Sequence, residues 1–139
     1  MGDGAMAVFT DPATAVTAVL VALDAVKAVE VGGYTPVMRA GIHTGRPQRI
    51  GSDWLGVDVN VAARVMNRAT RGGLIVSNVT LEAIPAEDLD ALGITAKRVR
   101  KQLFSAKVAG VPDDLTMYWV KTRRNLPGAD VVAEEPSGA

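Results

Sequence analysis

Residues 51–68 read GSDWLGVDVNVAARVMNR. A short polar loop runs into a segment where Val57, Val61 and Val65 fall at four-residue steps, with Ala62, Met66 and Ala69 beside them. That spacing makes one apolar face and predicts an amphipathic helix over residues 57–69. The opposite face carries Asn60, Arg64 and Asn67, again at helical steps. An amide and a guanidinium one turn apart, just behind a loop with Asp53 and Trp54, are either a solvated face or a pair arranged for one ligand. The rest of the chain has to decide between them.

The bulk numbers narrow the field. A length of 139 residues suits one domain. Aromatics make up only 4% of the chain against 48% hydrophobic residues, so a core must be built from Val, Ala, Leu and Ile. Lys+Arg and Asp+Glu balance at 15 each, so whole-chain charge points to neither nucleic acid nor an anionic membrane surface. With no cysteine, disulfides and thiolate metal sites are excluded, and a cytoplasmic setting is expected. No signal-peptide pattern opens the chain. The most apolar stretch, residues 13–31, is interrupted by Thr14, Thr17, Asp24, Lys27 and Glu30, so no membrane span is expected there.

On either side of the opening helix the pattern alternates. Residues 5–9 (AMAVF) read as a short buried strand after the turn-like Gly2-Asp3-Gly4. Asp11 and Pro12 have the chemistry of an N-cap and a first helical position, and the helix they open is expected to run to about Val31 and stop at Gly32-Gly33. A second strand is expected over residues 36–44 (PVMRAGIHT) and a loop or ribbon over residues 46–56. After the opening helix come a third strand at residues 74–77 (LIVS), a short helix over residues 78–84 capped by Asn78 or Thr80, and a turn over residues 88–93. Residues 95–104 and 115–121 read as two further strands, and residues 125–139, rich in Pro, Gly, Ala and Glu, as a disordered tail. The order of elements predicts α/β or α+β, with helices on one face of a sheet.

Three pieces in order carry a resemblance: GDGAMAVF from Gly2, GIHTG from Gly41 and DWLGVDVNVAARV from Asp53. Together they resemble the catalytic domain of class III adenylate/guanylate cyclases of the compact bacterial type, over residues 2–121. The resemblance implies an α+β, ferredoxin-like cyclase homology domain, its sheet covered by helices. It implies a homodimer with ATP at the interface, turned into cyclic AMP and pyrophosphate in cyclic nucleotide signalling. The chain divides on this reading into a partial catalytic domain, residues 1–122, and a tail, residues 123–139.

The resemblance also assigns roles. Asp3, in the Gly-Asp turn, would hold divalent Mg or Mn ions. Asp53 would contact the purine and favour adenine. Seven residues on, Asn60 would orient the ribose, and four further on Arg64 would stabilise the transition state. Lys107 is the candidate phosphate contact. These residue types suit the chemistry, because attack of a 3′-hydroxyl on the α-phosphorus builds charge that carboxylate-bound metals and a guanidinium fork can neutralise. The family carries a first strand with another metal-binding Asp, and a base-reading Lys, ahead of the Gly-Asp turn. With the sequence beginning at Met1, the expectation is an N-terminally truncated domain. The rival expectation is an inactive cyclase remnant that dimerises or binds nucleotide. His43, the only histidine, is expected to be structural. Residues 97–101 (KRVRK) are expected to be the wet face of a strand, and Trp54 and Trp119 to be packing residues.

Overall fold

The computed structural model describes residues 4–100 and 112–123. Four strands make the main sheet: β1 (Arg39–Ile42), β4 (Gly73–Ser77), β6 (Met117–Thr122) and β5 (Ile94–Arg98), in the spatial order β1-β4-β6-β5. β1 pairs with β4 in parallel, and the other neighbours are antiparallel. A parallel pair needs a crossover, and here it contains a two-stranded ribbon, β2 (Gln48–Ile50) and β3 (Asp53–Leu55), followed by helix α2 (Val57–Asn67). The content is mixed α and β, as expected.

Strand alternation divides the interior in two. Ala40, Leu74, Val76 and Val120 point to one face, where Val16, Leu20 and Leu23 of α1 (Pro12–Lys27) cover them. Ile75 points to the other face, where Val61, Val65 and Ala69 meet it with Met117 and Trp119. The helices therefore lie on both faces, not on one. β4 sits between the two layers, and its Leu74, Ile75, Val76 and Ser77 are all buried, which is why LIVS has no polar alternation. Trp119 packs as expected.

Several local expectations are corrected. Residues 5–9 belong to no strand, and Met6, Val8 and Phe9 stay exposed, because a strand needs a neighbour and none of the described strands lies beside this run. Asp11 does cap α1, its carboxylate accepting from the Thr14 amide at 3.0 Å, with Pro12 at the start. The helix ends at Lys27, however, and Gly32-Gly33 turns a small bridge in which Val31 and Tyr34 exchange backbone hydrogen bonds of 2.9 and 3.0 Å. Both glycines have positive φ, 59° and 80°, which a side chain would resist.

The second strand is shorter than residues 36–44. The short helix α3 (Asn78–Glu82) is capped by Ser77, whose hydroxyl accepts from the Thr80 amide, rather than by Asn78 or Thr80. Asn78 instead uses its carbonyl to accept from the Thr116 amide at 3.0 Å. The turn at residues 88–93 contains most of a further helix, α4 (Ala86–Ala91). β5 ends at Arg98. The rest of residues 95–104 beyond Arg100, and all of the expected tail from residue 125, lie outside the described residues.

Candidate functional site

The 46–56 segment is a hairpin. Gly51 has a φ of 63° and Ser52 a negative one, so the two-residue loop carries positive φ at its first position only, as a II′ turn requires. Asp53 is the first residue of β3, paired with Ile50 beside this loop. It does not cap α2: that position is Gly56, which has no side chain to offer. At about 3.3 Å per residue, Asp53 stands near the ribbon tip, some 10 Å of strand from the helix start. Cross-strand from Arg49, Trp54 lies under the guanidinium at 6.0 Å, and this pairing uses the ring as a packing surface within the ribbon.

On α2, Val61 and Val65 face the sheet while Asn60, Arg64 and Asn67 are exposed. Asn60 and Arg64 are thus one turn apart, about 6 Å along the axis, on the outer face. No hydrogen bond or ion pair joins Asp53, Asn60 and Arg64 to one another among the described residues. The structure puts Asn60 and Arg64 on one face and Asp53 on a separate, exposed ribbon. Asp3 and Lys107 lie outside the described residues.

Beneath the first turn of α2 is a polar seam that sequence reasoning missed. The Asp58 carboxylate accepts from the Arg46 backbone amide at 2.9 Å, and its other oxygen lies 3.0 Å from His43 Nε2. On the far side of the imidazole, Nδ1 is 2.8 Å from the Ser77 hydroxyl. Ser77 and Thr80 are fully buried, and Thr80 continues the seam to the Thr44 hydroxyl at 3.0 Å. The Arg46 amide, helped by His43, holds the Asp58 carboxyl below its ordinary value, while partial burial opposes the shift. Within the described residues no buried side-chain polar atom lacks a hydrogen bond.

The GIHTG spacing serves this seam. Gly41 in β1, and His43 and Gly45 just beyond its end, all lie against α2. A Cβ at Gly41 would run into the Met66 backbone, and one at Gly45 into the Asp58 carboxylate. Small residues on both sides of His43 let α2 approach. The two glycines flanking the histidine at two-residue spacing were the signal in the sequence that could have pointed to a close partner.

Among curated proteins the chain matches a pH-sensitive adenylate cyclase of Mycobacterium tuberculosis (strain CDC 1551 / Oshkosh), 36% identical over 136 residues. This chain is similar to an adenylate cyclase. The match covers 97% of the chain, which spans only 32% of that relative's length. It supports a place in a cyclase family. No family model matches the chain, and no solved structure does.

The metal expectation rests on Asp3, which lies outside the described residues. The described part holds no group of three His, Cys, Asp or Glu side chains able to grip an ion. Asp58 is committed to Arg46 and His43, and among the described residues no second carboxylate joins Asp53 in such a group. The described residues do not by themselves fit a divalent site. No helix among them is long and apolar enough to cross a membrane.

Proposed function

We propose that the chain is a class III adenylate cyclase domain, ferredoxin-like, spanning residues 1–122 and followed by a tail. Its reaction is ATP to cyclic AMP and pyrophosphate at a homodimer interface, in cytoplasmic signalling. The observation that carries this is the outward pair Asn60 and Arg64, exposed and one turn apart on α2, with no side-chain hydrogen bond or ion pair among the described residues, and with Asp53 exposed on the ribbon that precedes them. Similarity to an adenylate cyclase over nearly the whole chain supports it.

In this reading each described residue has a defined task. Arg64 offers a planar fork to the charged phosphoryl oxygens, a role a solvated lysine could not fill as well. Asn60 has both a donor and an acceptor with which to fix a ribose. The Asp53 carboxylate only accepts, which suits the amino group of adenine and repels the carbonyl of guanine. Mg or Mn would supply activation of the attacking hydroxyl, with Asp3 as the proposed ligand. Lys107 is proposed for phosphate.

The test is incubation of the purified chain with ATP and manganese or magnesium, followed by detection of cyclic AMP. Product that disappears in Arg64→Ala and Asn60→Ala is expected, whereas no product from a folded dimer sinks the activity of this chain. The dimer is tested by mixing. Asp3→Ala and Arg64→Ala are each expected to be dead, while together they should return on the order of a quarter of the activity, since half the dimers are mixed and each keeps one whole site. Mixed dimers that form and stay inactive break the shared-site reading.

A second reading is an inactive remnant that keeps a dimer or nucleotide surface. The exposed apolar run at residues 5–9, which pairs with no described strand, favours it, because such a run offers a surface for a second chain. Cyclisation by this polypeptide alone excludes it.

A further inference from the structure

Helix α2 starts without a side-chain cap, because its N-cap is Gly56. Its first turn is held instead by Asp58, a negative charge at the positive end of the helix dipole. One Asp58 oxygen takes the Arg46 amide proton, and the other faces His43 Nε2 at 3.0 Å. An ionised carboxylate can only accept, so in the neutral imidazole the proton belongs on Nε2. Nδ1 is then an acceptor, and the Ser77 hydroxyl at 2.8 Å must donate to it. Only one tautomer satisfies both neighbours.

The place of this histidine in the fold gives the tautomer a consequence. His43 follows the last residue of β1, Ser77 ends β4, and Asp58 lies in the first turn of α2. The imidazole is 4% exposed, so water does not compete for its two bonds. Asp58 is the one charged side chain hydrogen-bonded to it among the described residues; Ser77, Thr44 and Thr80 complete the seam without charge. Asn60 lies two residues beyond Asp58 and Arg64 one further turn along the same rigid helix.

We infer that His43 is a positioning residue: as the Nε2–H tautomer it ties the first turn of α2 to the ends of β1 and β4 and so sets where Asn60 and Arg64 stand. The inference rests on the proposed nucleotide role of those two residues. The His43–Asp58 bond is the half that matters, because it alone reaches the helix.

Two variants separate the halves. His43→Gln keeps an N–H at the reach of Nε2 toward Asp58. His43→Asn reaches only as far as Nδ1, toward Ser77. Long-range proton–nitrogen NMR of the full chain, in which this is the only histidine, is expected to show the neutral imidazole with its proton on Nε2. In His43→Asn the amides of Arg46 and of the first α2 turn should exchange about tenfold faster, and the backbone signals of Asn60 and Arg64 should shift. In His43→Gln exchange should stay within about twofold and those signals should hold. Where wild-type cyclisation is measured, His43→Asn should lower kcat more than it raises KM, and His43→Gln should recover most of kcat. A proton on Nδ1, or equal behaviour of the two variants, overturns the inference. If His43→Asn does not fold, Asp58→Ala takes its place: loss of the Nε2–H preference supports the tie, and an unchanged tautomer refutes it. Absence of cyclisation in the wild type would defeat the nucleotide reading, while the tautomer and exchange results would still decide the tie.

Discussion

The two faces of α2's first turns differ in a single respect. On the inner face, each Asp58 oxygen has a partner, the Arg46 amide on one and His43 on the other, and His43 is bonded on both nitrogens. On the outer face, Asn60 and Arg64 are exposed, and among the described residues their side chains make no hydrogen bond or ion pair. Both sets are polar, and both come from the same stretch of sequence. Polar groups that a fold uses for its own cohesion are paired inside it. Those left facing out, at a fixed spacing on a rigid element, are available to a ligand or another chain. Substitutions on the inner face should therefore cost mainly stability, and those on the outer face mainly activity.

The largest effect is expected where the inner face has no room. Gly41→Val drives a branched side chain into the Met66 backbone, which cannot move without lifting α2 from the sheet. Overpacking of this kind costs about 3 kcal/mol or more. Urea unfolding should show a much lower midpoint, or no folded protein in the soluble fraction. A midpoint close to wild type would mean that α2 does not pack against β1 as described. Ile75→Ala, at the centre of the α2 layer and fully buried, belongs in the same class, at about 2–5 kcal/mol.

Asp58→Ala comes next. It removes the acceptor for the Arg46 amide and for His43, but the carboxylate is 37% exposed, so solvent lessens the loss. A cost of about 1–2 kcal/mol is expected by chemical denaturation. The same group sets an acid limb. The Asp58 carboxyl is held below its ordinary value of 3.8 in the folded chain, chiefly by the Arg46 amide. The folded state therefore binds its proton less readily than the unfolded state does. Its contribution is fully present above pH 3.8 and is lost as pH falls through the lowered folded value. In Asp58→Asn that part of the pH dependence should vanish, so the stability difference from wild type should shrink on acidification. A difference that grows in acid would reverse the assigned sign.

How much of this was legible in the sequence varies with the range of the interaction. The start of α1 could be read because Asp11 and Pro12 act on residues within one turn. Its end could not, because Gly32-Gly33 serves a stop or a tight turn equally well, and the Val31–Tyr34 bridge decides it. The outer face of α2 followed from periodicity alone. The sequence reading put helices on one face of the sheet, whereas β4 is covered on both, because which helix covers which side depends on crossovers that local pattern does not encode. Asp58 was invisible for the same reason. Its partners are 15 and 12 residues away, and nothing in VDVN distinguishes a tethering carboxylate from a solvated one. The run at residues 5–9 has strand composition and no strand, because composition cannot supply a neighbour.

A smaller effect, on selectivity rather than stability, is expected on the ribbon. Asp53→Ala should leave the unfolding curve in place and reduce any preference for ATP over GTP by about tenfold, the worth of one buried polar match. An unchanged ratio of initial rates would detach Asp53 from base recognition.

The smallest effect on stability is the one that tests the comparison most severely. Arg64 stands in the last turn of α2, where a cation meets the negative end of the helix dipole. That provides a purely structural reason for an arginine there, worth about 0.3–1 kcal/mol on an exposed surface. Arg64→Lys keeps the charge and so keeps this term, whereas Arg64→Ala loses it. If the dipole were the whole role, Lys would behave as wild type in every assay. If the planar fork is used on a phosphoryl group, Lys should match wild type in unfolding yet lose activity by a factor near that of Ala, because a point charge does not reproduce two parallel N–H donors. Stability of Arg64→Lys within about 0.5 kcal/mol of wild type, joined to activity in the arginine form alone, would put Arg64 on the functional side. Full activity in Arg64→Lys would return it to the helix.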